Sequence, residues 1–343
     1  MTYPPHDAGF RQPAEWAPHL SCWVAWPSDP DLWPELSAAQ NAFTQMCRAI
    51  ARPARQTLGE QLEVIVQDAR ALPEAQGALM GVRARFHIIP FGDIWMRDTC
   101  PVFLEDAQGA VASVRFQFNG WGGKYLYSGD DKLAARVQEL STNRSFVSSL
   151  VCEGGAVESD GHGLCMTTRE VVLNANRNPG LSQVDAEAEL QAALGADRII
   201  WLDAGLLNDH TDGHIDNIAR FVAPSRALCM RAEAQDDPNR EVLAAIEATL
   251  VREGLDVVTL PSPGLVTARD GRALPASYLN FYIANHSVVV PVFDSAHDAE
   301  ALRVIGTLFP GRVVIGVNAR VFLEEGGTLH CITQQQPAGL STR

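Results

Sequence analysis

Polar clusters that could carry chemistry recur along this chain at a nearly constant interval. Trp95 to Asp98, Glu153 to Gly155 and His214 to Asp216 sit near positions 97, 154 and 215, spaced by 57 and 61 residues. Cys331 lies 116 residues beyond the third, about two further intervals, so one more station is expected near 273–280, in ALPASYLN. An earlier cluster, CWVAWPSD, occupies 22–29. A period of roughly 60 residues suggests a repeated β/α unit, each copy sending one loop or strand end to a shared centre.

The segments between stations fit such a unit. LEVIV (62–66), VRFQF (114–118), RIIWL (198–202), DVVTL (256–260), SVVVPVF (287–293) and RVVIGV (312–317) are β-branched runs bounded by turn residues and read as strands. Helices are expected over 37–51, 183–194, 238–253 and 296–308. The second is framed by Ser182, with Asp185 three places on, and by Gly195. The third opens with Asp237-Pro238 and ends at Gly254, and the fourth follows Ser295. Alternation of strand and helix indicates an α/β protein.

The net charge of −14 opposes a nucleic-acid partner, which needs a basic face, and is compatible with attracting a cationic small molecule. Seven cysteines without a CxxC pair argue against a zinc ribbon or a dithiol redox site. The N-terminal MTYPPHDAGF lacks the basic and apolar segments of a signal peptide, and no apolar run approaches membrane-spanning length. The expectation is a reduced, cytoplasmic protein that engages no membrane.

Each station admits a functional and a structural reading. In HTDGHID (210–216), His210 and His214 have the i, i+4 spacing of helical metal ligands, but Gly213 disfavours a helix. IDNIARFV reads as a strand, which would put His214 and Asp216 on one face, a pairing suited to general acid–base work. The alternative is a surface turn with a hydrogen-bonded histidine. In GDIWMRDTCPVF (92–103), Trp95 and Asp98 could hold a flat cation; alternatively Arg97 and Asp98 pair and Trp95 is core. Glu153 before two glycines is weak on its own, and FNGWGGKYLY (118–127) matches neither nucleotide-binding glycine pattern.

Cys331, in EEGGTLHCITQQQP, follows two glycines and precedes polar residues. His330 would point to the opposite face of a strand, so His214 is the better partner, delivered by the fold. Asp98, Glu153 and Asp216 around a thiol would raise its pKa unless a bound cation offset them. A guanidinium is planar, offers five N–H donors and matches paired carboxylates. Cysteine, histidine and acids together point to attack on the central carbon of a guanidinium.

WMRDTCPVF, FNGWGGKY, EGGAVESDG, LNANRNPGLS, HTDGHIDNIARF and GGTLHCITQQQP resemble, in order, the successive motifs of the agmatine deiminases, relatives of the bacterial peptidylarginine deiminases. The resemblance spans about residues 10–340. It implies a pentein fold: five ββαβ units around a pseudo-fivefold axis, in one catalytic domain over 1–343, with the site at the centre. It also implies that Cys331 is the nucleophile and forms a covalent amidino-thioether. His214 would protonate departing ammonia and then activate water. Asp98 and Asp216 would grip the guanidinium nitrogens, and Trp95 and Glu153 would line the substrate site. No metal or organic cofactor is implied. The products from agmatine would be N-carbamoylputrescine and ammonia, and a homodimer is expected.

Three places depart from the family pattern. Cys100 stands where glycine usually follows RDT, His210 stands where agmatine deiminases often carry an acid, and EGGT with Glu325 and Thr328 replaces GGGN. These are expected to tune specificity. The rival readings are the same chemistry on peptidyl-arginine, free arginine or another guanidine, amidino transfer to an amine, a metal-dependent protein using His210, His214 and Asp216, and a catalytically silent binding protein.

Overall fold

Ser287–Val292 shows how the sheets are built. Its sequence, SVVVPV, is apolar on successive residues, so both faces must be covered. It lies between Tyr282–Ile283, antiparallel to it, and Val313–Asn318, parallel to it and reached through the helix Asp298–Leu308. The computed structural model describes residues 4–54, 57–142 and 144–339. Among them the strands form five separate mixed sheets, and each repeats this order: two antiparallel strands, a helical crossover, then a parallel strand.

The remaining units follow the chain. Val102–Asp106, Val111–Gln117, helix Asp130–Ser141 and Ser145–Val151 form one, with Phe10–Arg11 added at its edge. Glu158–Ser159, Leu164–Thr168, helix Gln183–Leu194 and Arg198–Leu202 form the next. Ala219–Ala223, Arg226–Arg231, helix Arg240–Arg252 and Asp256–Pro261 form another. The last joins the two ends of the chain: Gln334–Pro337 pairs antiparallel with His19–Ala25, which runs parallel to Gln61–Val66 after helix Leu36–Ile50. Ala84–Ile88 then adds a fourth strand.

All six expected strands and all four expected helices are present. Ser182 caps its helix by accepting from the Asp185 amide, and Gly195 ends it with φ 68°. Two helices start later than expected. Asp237 accepts from the Asn239 amide in a turn, so that helix begins at Arg240. The Asp298 carboxylate accepts from the Ser295 amide, so the other begins at Asp298.

The segment just before each unit's first strand faces the same place, and neighbouring segments touch in a closed series. The Arg97 amide donates to the Cys331 carbonyl (3.0 Å), and the Gly155 amide to Asp98 (3.0 Å). Glu153 stands 3.5 Å from His214. Asn280 donates to Asn217 (3.0 Å) and to the Cys331 sulfur (3.2 Å). No helix among the described residues is long and apolar enough to cross a membrane.

The C-terminal strand holds through polar side chains. Gln336 Oε1 accepts from Trp23 Nε1 (3.0 Å) and Ser21 Oγ (3.3 Å), and its Nε2 donates to the Ser141 carbonyl (3.1 Å). Gln336→Leu would strand two buried donors, each worth about 1–3 kcal/mol when left unpaired. A urea midpoint lowered accordingly is expected; an unchanged midpoint would show that the closure does not depend on these bonds.

Candidate active site

Cys331 lines a pocket that opens to solvent. The walls are Trp95, Trp121, Tyr125 and Tyr127, with Asp93, Asp98, His210 and Glu325 adding polar groups. The Cys331 thiol is 3.2 Å from Asn280 Nδ2 and 3.9 Å from Asp216 Oδ2. Asn280 Oδ1 also accepts from Thr328 Oγ1 (2.6 Å) and the His330 amide (3.0 Å), which fixes the loop carrying the cysteine. Burial, reinforced by Asp216 and Asp98, pushes the Cys331 thiol well above the ordinary cysteine range.

His214 is fully buried, with Nδ1 3.8 Å from Asp98 and Nε2 3.5 Å from Glu153. Neither contact has hydrogen-bond geometry. Burial alone would lower its pKa, but Asp98, Glu153 and Asp216 outweigh it and raise it to about 9. At neutral pH the ring therefore carries a charge. The structure corrects its placement on a strand: Asp212 (φ 62°) and Gly213 (φ 82°) turn the chain, and His214 precedes a short 3-10 turn, Ile215–Asn217, that contains Asp216. The strand starts only at Ala219.

Asp98 accepts from Trp121 Nε1 (2.9 Å) and the Gly155 amide (3.0 Å). Burial foremost, with Glu153 and Asp216, raises its pKa against the pull of His214. Arg97 does not pair with it; its guanidinium bonds Gln335 (2.7 Å) and lies 3.7 Å from Glu15. Trp95 is both core and pocket wall: it lines the cavity and donates to Asp93 (2.8 Å).

Glu153 stands 3.5 Å from His214 and does not itself line the pocket. It is fully buried and accepts two bonds from Arg177 Nε (2.9 and 3.0 Å). Burial opposes its ionisation, yet His214 and Arg177 hold its carboxyl below the usual range. Arg177 also donates to the Thr211 carbonyl (2.9 Å), tying LNANRNPGLS to the loop before His214. For Asp216, burial is likewise outweighed, first by the hydrogen bond from His330, and its carboxyl is held low.

The departures from the family pattern fall in different places. Cys100 is buried and does not line this pocket, but borders a separate cavity together with Asp98. His210 lines its mouth, stacked on Tyr125 and 3.4 Å from Arg272. Burial and then Arg272 lower its pKa, so it is neutral at pH 7. Among the described residues no three His, Cys, Asp or Glu side chains are grouped to hold a metal ion.

Asn280 was signalled only by the window expected for the missing station, 273–280, which ends at it. Trp121 was hidden in the glycine-rich run: it adopts φ 53°, and a side chain at Gly122 would meet Asn176 at 2.4 Å. These glycines serve a left-handed turn that swings Trp121 onto Asp98.

Gly155 sits between three of these groups. A methyl there would lie 2.5 Å from His214 Nδ1, 3.0 Å from Asp98 Oδ1 and 3.1 Å from Asp216 Oδ2. Gly155→Ala is expected to lower kcat/KM by roughly 10²-fold through misplacement of these groups. Steady-state assay of the folded variant tests this, and full activity would show that the groups do not share that space.

The profile of the Porphyromonas-type peptidyl-arginine deiminase family matches residues 11–337. The agmatine deiminase of Stutzerimonas stutzeri is 38% identical, and that of Pseudomonas aeruginosa 37%, each alignment covering 98% of both chains. The solved agmatine deiminase of Enterococcus faecalis superposes with a TM-score of 0.91 at 30% identity, covering 98% of both chains. With a family profile matched over nearly its whole length and relatives of this identity end to end, the chain belongs to the Porphyromonas-type peptidyl-arginine deiminase family.

Proposed function

We propose that this chain hydrolyses agmatine to N-carbamoylputrescine and ammonia through a covalent adduct on Cys331. The observation that carries this is a thiol in an acid-lined pocket that shares Asp98 and Asp216 as neighbours with a charged histidine. Asp98 and Asp216 take the guanidinium N–H groups and hold the central carbon over the sulfur. Binding of the cation offsets the acids that keep the thiol protonated, so the thiol proton passes to solvent, the thiolate attacks, and a proton is regained when the C–S bond breaks. The C–N bond then breaks, and His214 gives its proton to the departing ammonia. His214, now neutral, takes a proton from water, which attacks the amidino carbon. The C–S bond breaks and the thiol is regenerated. Trp95 covers one side of the planar group, and Asn280 orients the sulfur.

The five units, touching in a closed series, support a pentein arrangement about a pseudo-fivefold axis. Asp93 and Glu325 on the pocket wall suit an ammonium-ended tail, as agmatine has. One observation favours a carboxylate-bearing guanidine such as arginine: Arg272 beside His210 at the mouth.

Ammonia release from agmatine, arginine and a peptidylarginine, assayed in parallel with Cys331→Ala as control, separates these. Turnover of agmatine, absent in Cys331→Ala, is expected; preference for arginine would reassign the tail. Activity should also fall as pH rises through about 9, because His214 is raised there and must hold its proton when ammonia leaves. A kcat/KM profile flat through that range would contradict the role of His214.

A further inference from the structure

His330 stands between two buried carboxylates. Its Nδ1 is 2.7 Å from Asp216 Oδ2 and its Nε2 is 2.7 Å from Glu15 Oε2. A neutral imidazole has one N–H, so one of these short contacts would set a ring lone pair against an oxygen. A proton on either acid would relieve that, but cations other than His330 face both acids and favour their ionised forms. Glu15 also accepts from Arg220 Nη2 (2.8 Å) and the Ile283 amide (2.8 Å), and Arg97 lies 3.7 Å away. Asp216 faces His214 and Arg220 as well as His330.

We infer that His330 is a doubly protonated positioning residue, an imidazolium clamped between Glu15 and Asp216 that sets the orientation of Asp216 beside Cys331. His330 engages Asp216 Oδ2, while Asp216 Oδ1 is buried with no partner. Resting on the reading above, the oxygen without a partner leaves Asp216 able to accept a guanidinium N–H while His330 holds the other. Glu15 reaches neither thiol nor pocket and acts only through the ring. It comes from the N-terminal segment, so the site is completed by a residue 315 positions from His330. Glu15 is itself anchored through Arg220, which is 3.1 Å from Glu158.

Two measurements test this. Nitrogen NMR of the imidazole rings in the full-length wild-type enzyme, assigned with His330→Gln, should show a proton on both His330 nitrogens at neutral pH. In Glu15→Gln that ring should become singly protonated. In steady state, Glu15→Gln should lower kcat by roughly 10²-fold, the scale of a displaced reacting group, with KM moving much less. A merely structural Glu15 would lower the melting temperature and leave kcat per folded molecule intact, and that result would overturn the inference. So would a singly protonated His330 in the wild type. The NMR arm needs no turnover, so it still decides the proton placement if agmatine is not the substrate.

Discussion

Asp98, Glu153 and Asp216 stand together where water is excluded, and an ionised carboxylate taken into such a place costs several kcal/mol unless it is paired. Around them lie two more buried acids, Glu15 and Glu158, and five basic groups: Arg97, Arg177, Arg220, His214 and His330. Asp212 also binds Arg177 (2.6 Å), so the cations of this centre are already engaged by its acids. A thiolate at Cys331 would add a further negative charge without a partner. The resting thiol is therefore protonated, and in the reaction proposed above the guanidinium is the cation that lets it ionise. Selectivity for cations then follows from the charge balance of the centre as well as from contacts to the ligand.

The fold delivers these groups by repetition. Each unit spends its strands and helix on burying an apolar layer, and leaves the short segment ahead of its first strand free to carry polar residues inward. Asp98, Glu153, His214 with Asp216, Asn280 and Cys331 occupy those five segments. Short turns and small helices there escape the alternation of a strand, so a residue such as His330 can point to one neighbour while Cys331 points to the pocket. Pairing of Gln334–Pro337 with His19–Ala25 brings Cys331 into the same centre as groups from the middle of the chain.

Much of this was legible in the sequence, for definite reasons. Runs such as SVVVPV and RIIWL are buried on both faces and carry their own signal. The period near 60 residues exposed the repeat, and the window expected for its missing station, 273–280, ends at Asn280. QQQP did not read as a strand because its burial rests on side-chain hydrogen bonds and not on apolar residues. His214 was misplaced onto a strand because the apolar run IARFV hid the turn that Gly213 makes. Glu153 enters the substrate site only through the family resemblance, and its bond to Arg177 could not be read from spacing. The link from Glu15 to His330 spans too much chain for any spacing to reveal.

The most direct test of the charge balance is the ultraviolet thiolate absorbance of substrate-free enzyme, taken as wild type minus Cys331→Ala while the pH is raised. The account predicts no Cys331 thiolate at neutral pH and its appearance only well above about 8.5, the value of an ordinary cysteine. A Cys331 thiolate already present at neutral pH without any bound cation would contradict it.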